Sequence, residues 1–145
     1  GRLEATEEEI IDAAKRADAH AFISQLPEGY DTRVGDRGIR VSGGQRQRIS
    51  LARALIRDPA ILILDEATNA VDSISEHTIR QALETLRGDC TIIVIAHRAS
   101  TLERADHNVV LDEGRLIEEG NFTTLLARQG LFSRLHALQR PPTIA

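Results

Sequence analysis

Two adjacent carboxylates, Asp65 and Glu66, stand directly after an apolar run over residues 60–64. The run does not alternate between polar and apolar residues, which is typical of a parallel strand that is buried on both faces. In open α/β sheets, ligands bind beyond the carboxyl ends of the strands, so this acidic pair is placed for chemistry. Carboxylates at such a point can bind hard cations or accept protons.

A second stretch whose residues could take part in chemistry is Ser42-Gly43-Gly44-Gln45, which precedes a helical pattern. Ser42 can cap the helix, and Gln45, three residues later, completes a capping box. The N-terminus of a helix attracts anions, because its first N–H groups have no partner within the helix and its dipole is positive there. The stretch therefore predicts a helix start that can bind an anion.

The helix that follows Gln45 is predicted from apolar residues at helical spacing. Its apolar stripe consists of Ile49, Ala52 and Ile56, flanked by Leu51 and Leu55. Its arginines, which we expect to face water or partners, are Arg46, Arg48, Arg53 and Arg57. Pro59 cannot continue a helix with normal hydrogen bonding, so the helix should end near Arg57 or Asp58.

A third candidate residue, His97, follows an apolar run over residues 91–96 that predicts a second buried strand. From its position alone, His97 either satisfies a local hydrogen bond or takes part in the chemistry. The other predicted elements are a helix over 6–17, a helical turn over 20–23, a loop over 32–38, a helix from 73 to a stop at Gly88, a hairpin over 106–120, and helices over 121–128 and 131–139. The apolar face of the first helix consists of Ile10, Ala13, Ala14 and Ala17.

Further local features are predicted for these elements. Thr6 and Glu9 predict a capping box at the start of the first helix, and Asn121 is the predicted cap of the helix over 121–128. The two glycines of the loop, Gly35 and Gly38, can adopt conformations that other residues avoid. The helix from 73 has an apolar face that consists of Ile79, Ala82, Leu83 and Leu86.

Composition and charge narrow the class of protein. The 145 residues are enough for one domain with a hydrophobic core, and the net charge of −4, from 18 basic and 22 acidic residues, gives no electrostatic reason to bind nucleic acid. The longest apolar runs, of five residues, are far shorter than the roughly 18 residues that cross a bilayer. The single cysteine, Cys90, excludes an internal disulfide and fits a reducing compartment as a small buried side chain.

The sequence VSGGQ, followed by ILILDEATNAVD, resembles the signature motif, Walker B strand and D-loop of ATP-binding-cassette ATPases. The order and short separation of these motifs make the resemblance specific. Two departures are mild. Val41 stands where the family usually has Leu, and Asn69-Ala70-Val71-Asp72 stands where the family usually has Ser-Ala-Leu-Asp.

Two further segments resemble the exporter branch of this family. TRVGDRG, over residues 32–38, resembles the loop before the signature motif, with Asp36 in place of the common Glu, and the resemblance implies contact with a transmembrane partner. IVIAHRAST resembles the switch-histidine segment, with Ala99 in place of the usual Leu. In all, the resemblance extends over residues 4–139.

The resemblance implies roles in ATP hydrolysis for the candidate residues. Asp65 would hold Mg²⁺, Glu66 would polarise the attacking water as general base, and His97 would contact the γ-phosphate. Asp72 would cross the interface with a second nucleotide-binding domain. The signature residues would bind the γ-phosphate of the ATP on that second domain, chiefly through the Ser42 hydroxyl and the Gly44 N–H; these residues are Ser42, Gly43, Gly44 and Gln45.

The implied fold is of the α/β class: a partial P-loop NTPase fold with a truncated parallel sheet, flanking helices and a segment of an α-helical subdomain. Residues 1–58 would belong to the helical subdomain, 59–140 to the C-terminal part of the ATPase core, and 141–145 to a disordered tail. The sequence contains no G-x-x-x-x-G-K-[ST] motif, so its phosphate cradle is missing. We therefore expect this stretch alone not to turn over ATP.

The leading interpretation is the C-terminal part of the nucleotide-binding domain of an exporter at the cytoplasmic face of a membrane. Its partners would be a second nucleotide-binding domain and a transmembrane domain, and its cofactors ATP and Mg²⁺. One alternative is the C-terminal lobe of a chromosome-maintenance or DNA-repair ATPase, which coiled-coil heptads should precede, and residues 1–40 show none. The other is a non-catalytic interaction module, against which the presence of Glu66 and His97 argues.

Overall fold

A computed structural model describes residues 1–35, 39–65, 81–96 and 99–139. The chain forms two compact units, Gly1–Ile95 and Ala96–Ala145, and each has a hydrophobic core of its own. The α/β class predicted from the sequence is confirmed. The boundary predicted between residues 58 and 59 lies inside the first unit and stays a prediction. The predicted tail, residues 141–145, lies outside the described residues.

The first unit begins with helix α1 (Glu7–Arg16), whose predicted capping box is confirmed. The Thr6 hydroxyl oxygen accepts the Glu9 N–H at 3.3 Å, and the Glu9 carboxylate accepts the Thr6 N–H at 2.8 Å. Three alanines of the predicted apolar face are buried in the core, whereas Ile10 on the same face is exposed. The buried residues are Ala13, Ala14 and Ala17.

The chain turns sharply between α1 and the short helix α2 (His20–Ile23), which confirms the predicted helical turn. Asp18 adopts a left-handed backbone conformation with φ of 51°. The Asp18 N–H donates to the Lys15 carbonyl at 2.9 Å, and the Ala19 N–H donates to the Ala14 carbonyl at 2.7 Å. This pair of bonds is a Schellman motif, which satisfies the last carbonyls of α1. A short 3₁₀ turn follows at Gly29–Asp31.

Helix α3 (Gly43–Leu55) begins at the predicted Ser42 cap and ends within three residues of the predicted stop. Its buried face differs from the predicted one. Leu51 and Leu55, expected to flank the stripe, are buried together with Gly44. The predicted stripe is only half-buried; its residues are Ile49, Ala52 and Ile56.

Strands β1 (Ile61–Asp65) and β2 (Thr91–Ile95) form a parallel two-stranded sheet in which Asp65 pairs with Ile95. Helical residues 81–85, here α4, precede β2, and Ala82 and Leu86 are buried in the first core as predicted. Gly88, the predicted helix stop, has φ of 93°, a conformation that glycine adopts readily. Cys90 is half-buried and packs against the first core.

The prediction that both strands are buried on both faces is wrong. Leu62 is buried in the first core, but Ile61 and Ile63 on the opposite face of β1 are 58% and 63% exposed. Most of β2 is also exposed. Among the described residues, the core covers only the face of the sheet that carries Leu62, so an apolar run predicts a strand but does not establish that both faces are covered.

The second unit contains α5 (Ala99–Leu102), β3 (Asn108–Asp112), β4 (Arg115–Gly120), α6 (Phe122–Ala127) and α7 (Leu131–Gln139). The predicted hairpin is confirmed: β3 and β4 are antiparallel and joined by Glu113-Gly114, both with positive φ, as in a type I′ turn. The predicted helices over 121–128 and 131–139 are confirmed as α6 and α7, whereas α5 was not predicted. Among the described residues, no helix is long and apolar enough to cross a membrane.

A carboxylate on β4 holds the start of α7. Glu118 accepts the N–H groups of Leu131 at 3.1 Å and Phe132 at 2.9 Å, which have no partner within a helix. A Cβ on Gly130 would lie 1.6 Å from a carboxylate oxygen of Glu118, so a side chain there would displace this carboxylate from the N–H groups that it accepts. Phe132 then packs with Val110 and Leu125 in the second core.

We predict that these 145 residues, expressed alone, self-associate through β2. Among the described residues, only β1 pairs with β2, so the other edge of β2 presents backbone N–H and C=O groups next to exposed apolar side chains. Ile93→Lys should weaken association in light scattering across a concentration series, because a charge on an edge strand opposes pairing. Val109→Lys, at a similarly exposed position (54% against 47%) on β3, is the control. If the wild-type 145 residues stayed monomeric across the whole concentration series, this prediction would be contradicted.

Candidate functional site

The first turn of α3 is the best-defined part of the candidate site. Ser42 has the extended backbone of an N-cap, with φ of −63° and ψ of 165°. Its hydroxyl oxygen accepts the Gln45 N–H at 3.2 Å, and the Gln45 side-chain carbonyl accepts the Ser42 N–H at 2.8 Å. The predicted capping box is therefore confirmed. The Ser42 hydroxyl proton remains free to donate to an anion, because the oxygen acts only as acceptor within the box.

The electrostatics of this turn favour a negative charge. The N–H groups of Gly43 and Gly44 lie in the first helical turn, where no earlier carbonyl of the helix can accept them. Ser42 is exposed, Gly43 is half-buried and Gly44 is buried. The Arg46 guanidinium bends back to donate to the Val41 carbonyl at 2.8 Å, which places a positive charge beside the positive end of the helix dipole. A phosphate oxygen fits this environment.

Asp65 is the exposed last residue of β1, so its carboxylate stands at the carboxyl end of the sheet as predicted. Among the described residues, no group of three or more His, Cys, Asp and Glu side chains could hold a metal ion. A single carboxylate suits Mg²⁺, which keeps several waters and takes further oxygens from substrate phosphates. Asp65 therefore fits the role of one magnesium ligand.

The predicted residues Glu66, Asp72 and His97 lie outside the described residues. Glu66 directly follows Asp65, and His97 follows Ile95 by two residues. Because Asp65 and Ile95 are partners in the parallel register, the segments that carry Glu66 and His97 start from adjacent strand ends. The structure thus places the starts of these two segments side by side, whereas Ser42–Gln45 lies at the start of helix α3.

The loop expected to meet a transmembrane partner is closed by backbone bonds at its base. Val34 and Ile39 form an isolated bridge, and the Ile39 N–H donates to the Arg33 carbonyl at 2.8 Å. Gly35 has φ of 117°, which confirms the expectation that this glycine adopts a conformation other residues avoid. Val34 and Ile39 are exposed, so the described part of the loop offers an apolar surface.

The 3₁₀ turn before this loop is tied to α2. His20 Nδ1 and the Tyr30 hydroxyl lie 2.9 Å apart, at hydrogen-bond distance. Burial raises the pKa of the Tyr30 hydroxyl. The His20–Tyr30 contact therefore links α2 to the turn from which the loop departs.

Sequence reasoning gave no role to Arg48, which we expected to face water or a partner. Only 17% of its side chain is exposed, and its guanidinium contacts Asp18 and Phe22 across the first unit. Helical spacing held a signal for this: Arg48 lies four residues after Gly44 and three before Leu51, on the face that is buried.

Comparisons with known proteins agree on one family. The family model described as ABC transporter matches residues 2–69. The heterocyst differentiation ATP-binding protein HepA of Nostoc sp. is 52% identical over 139 residues, which cover 96% of this chain and 23% of that protein. A protein of Staphylococcus aureus, named as a multidrug export ATP-binding/permease protein, is 50% identical over 96% of this chain and 24% of its own length.

A solved structure resembles both the sequence and the fold. A bacterial Atm1-family ABC exporter with ATP bound matches with a TM-score of 0.88 and 43% sequence identity, over 99% of this chain and 25% of that chain. The chain thus spans about a quarter of the length of the relatives that it matches.

The two capping boxes should respond differently to acid. The hydrogen bond from Arg2, followed by that from the Thr6 N–H, holds the pKa of Glu9 below its ordinary value of 4.5. A depressed pKa means that Glu9 stabilises the fold above its unfolded pKa, and that this contribution is lost as the pH falls through the folded pKa. In ¹⁵N-labelled protein, the Thr6 amide signal should shift with a midpoint below 4.5, and the Ser42 amide signal should not.

The matched control for this titration is Glu9→Gln, which gives the capping box of α1 the uncharged amide that Gln45 provides in the box of α3. The Thr6 amide should then no longer titrate. If the Ser42 amide followed the same midpoint as Thr6 in the wild-type protein, the difference between the two boxes would be disproved.

Proposed function

The chain belongs to the exporter branch of the ATP-binding-cassette transporter family, and on this premise we propose that it forms the C-terminal part of an ATP-hydrolysing nucleotide-binding domain. The observation that carries the proposal is the first turn of α3, where the hydroxyl of Ser42 and the N–H groups of the following glycines surround the positive end of a helix. The likeness to an exporter with ATP bound supports the same assignment. We call the full-length protein that contains this chain the parent transporter.

In the parent transporter, the α3 turn would bind the γ-phosphate of ATP held by a second nucleotide-binding domain. Ser42 would donate its hydroxyl proton, and Gly43 and Gly44 would donate backbone N–H groups. Gln45 would hold Ser42 in place through the capping box. Asp72 would cross the same interface, so that each ATP is bound between two domains.

Hydrolysis would take place at the carboxyl ends of β1 and β2. Bound Mg²⁺ would neutralise charge on the phosphates, and Asp65 would hold it through a carboxylate oxygen. Glu66 would accept a proton from the attacking water, and His97 would contact the γ-phosphate. The start of both segments from paired positions, Asp65 and Ile95, supports this division of roles.

The phosphate cradle and the substrate path would come from other parts of the parent transporter. This sequence has no G-x-x-x-x-G-K-[ST] motif, so the ATP bound by the parent would depend on a lysine-bearing loop elsewhere. The transmembrane domain would meet the loop that carries Val34 and Ile39, at the cytoplasmic face of the membrane. ATP binding and hydrolysis at the dimer interface would then drive transport.

We predict that Ser42→Ala in the parent transporter lowers kcat for ATP about tenfold or more. The variant loses a hydrogen bond to a charged phosphate, and such bonds contribute about 1.5–3 kcal/mol. Thr6→Ala is the matched control, because it removes the equivalent capping bond of α1. Each variant loses about 1 kcal/mol of cap stability. Similar kcat values for the two variants would remove Ser42 from phosphate binding.

Mixing of variants tests whether Ser42 acts on the nucleotide of the other domain. A dimer of one Ser42→Ala domain and one domain with a substituted P-loop lysine would keep one intact composite site. Such mixtures should therefore have a higher activity than either variant alone. Absence of recovery, with mixed dimers verified by differential tags, would place Ser42 outside a shared site.

We predict that Glu66→Gln abolishes turnover while ATP binding is kept. The amide keeps the size and hydrogen bonding of the side chain but cannot accept the proton, so ATP hydrolysis should fall by at least about 10²-fold. Direct binding of labelled ATP and phosphate release are the two measurements. Turnover within a few-fold of wild type would exclude Glu66 as the general base.

A further inference from the structure

Arg48 occupies the second turn of α3 and points into the first unit. It lies six positions after Ser42, or about 9 Å along the helix axis. Only 17% of its side chain is exposed, and the Nε atom of the guanidinium is buried. A buried charge is costly unless it is paired and hydrogen-bonded, so its partners explain its position.

The guanidinium of Arg48 contacts both sides of the turn between α1 and α2. Its Nη1 donates to the backbone carbonyl of Asp18 at 2.8 Å and lies 3.3 Å from the Asp18 carboxylate. Its Cζ atom lies 5.0 Å from the centre of the Phe22 ring, within the range of a cation–π interaction. We call this set of three residues the Arg48 clamp.

The acceptor of the clamp is held in a fixed position. Asp18 has the left-handed conformation of the Schellman motif, which ties its own N–H to Lys15 and the next N–H to Ala14. Aspartate and asparagine tolerate this conformation better than most residues. The Asp18 carbonyl, which accepts the hydrogen bond from Arg48, therefore belongs to a turn that cannot easily shift without breaking the hydrogen bonds that end α1.

Packing alone does not account for an arginine at this position. Arg48 Nε and Gln47 Oε1 are buried, and within the described ranges neither has a hydrogen-bond partner. A buried unsatisfied group costs about 1–3 kcal/mol, which an apolar side chain of similar length would avoid. The arginine is therefore better explained by the geometry that it imposes than by stability.

We propose that Arg48 is a positioning residue, whose clamp on Asp18 and Phe22 sets the orientation of the first turn of α3 and thereby the engagement of nucleotide by Ser42 and Gly43. The inference rests on the proposed function, because it assigns the clamp a role in presenting that turn to ATP. The planar guanidinium places one nitrogen, Nη1, at Asp18 while its central carbon lies over the Phe22 ring, and the compact ammonium of lysine is less suited to making both contacts at once. The clamp thus favours arginine over lysine.

The test uses the parent transporter with Arg48→Met, Arg48→Lys and Asp18→Asn. Arg48→Met should lower kcat at least tenfold while the affinity for Mg-ATP changes less than about threefold. The phosphate cradle that binds the nucleotide is intact in this variant, and the clamp acts only on the turn that contacts the nucleotide of the second domain. Arg48→Lys should recover only part of kcat. Arg53→Met, which removes an exposed arginine from the same helix, is the matched control and should keep wild-type kcat.

A double substitution shows whether Arg48 acts through Asp18. Asp18→Asn keeps the turn and the backbone acceptor but removes the charge, so it should lower kcat less than Arg48→Met. Arg48→Met combined with Asp18→Asn should be no worse than Arg48→Met alone. Effects that multiply would show that Arg48 and the Asp18 carboxylate act independently, and would overturn the contact between these two charges as part of the clamp.

The outcomes separate the clamp from the proposed function. An active wild-type transporter with an equally active Arg48→Met variant would overturn the clamp alone. A wild-type transporter without ATP turnover would overturn the proposed function together with the clamp. If Arg48→Met does not fold, Arg48→Lys takes its place: wild-type kcat in that variant would overturn the clamp, and a lowered kcat with unchanged Mg-ATP affinity would support it.

Discussion

The arrangement of the first unit depends on the packing of α3 against α1. The face of α1 is made of alanines, whose small side chains let Leu51 and Leu55 of α3 lie close to the α1 backbone. Alanine contributes little apolar area, and apolar contact has no preferred direction. A directional contact is therefore needed to choose one orientation of α3, and the hydrogen bonds between Arg48 and Asp18 supply it. The position of the first turn of α3, which carries Ser42, depends on both the packing against α1 and these hydrogen bonds.

Features determined by neighbours in the sequence were predicted well. Both capping boxes, the Asn121 cap of α6 and the two-residue hairpin turn follow from interactions within three or four residues. Such local contacts are governed by the residue types themselves, because an oxygen three residues away meets an N–H group in only one backbone geometry. The placement of Asp65 at a strand end followed from the apolar run before it, and the α/β fold was implied by the resemblance to a known family.

Features determined by distant parts of the chain were predicted poorly. The exposure of Ile61 and Ile63 depends on which elements cover the sheet, and a five-residue run holds no information about them. The position of Arg48 depends on a carbonyl thirty residues earlier, whose availability follows from the left-handed turn at Asp18. The sequence predicted that Arg48 faces water or a partner but did not identify the partner, because the residue type gives the cost of burial and not the group that offsets it.

The two capping boxes of this chain share one local structure, and under the proposed function the second of them also forms an anion site. The box of α1 uses Glu9, whose charge favours the positive end of a helix and is shared with Arg2. The box of α3 uses Gln45 at the same place, with the same pair of hydrogen bonds but no charge. A carboxylate there would neutralise the dipole and repel a phosphate beside Ser42, so the amide preserves the geometry while leaving the positive potential to the ligand. The choice between the two side chains is therefore better explained by what binds outside the helix than by the stability of the helix itself.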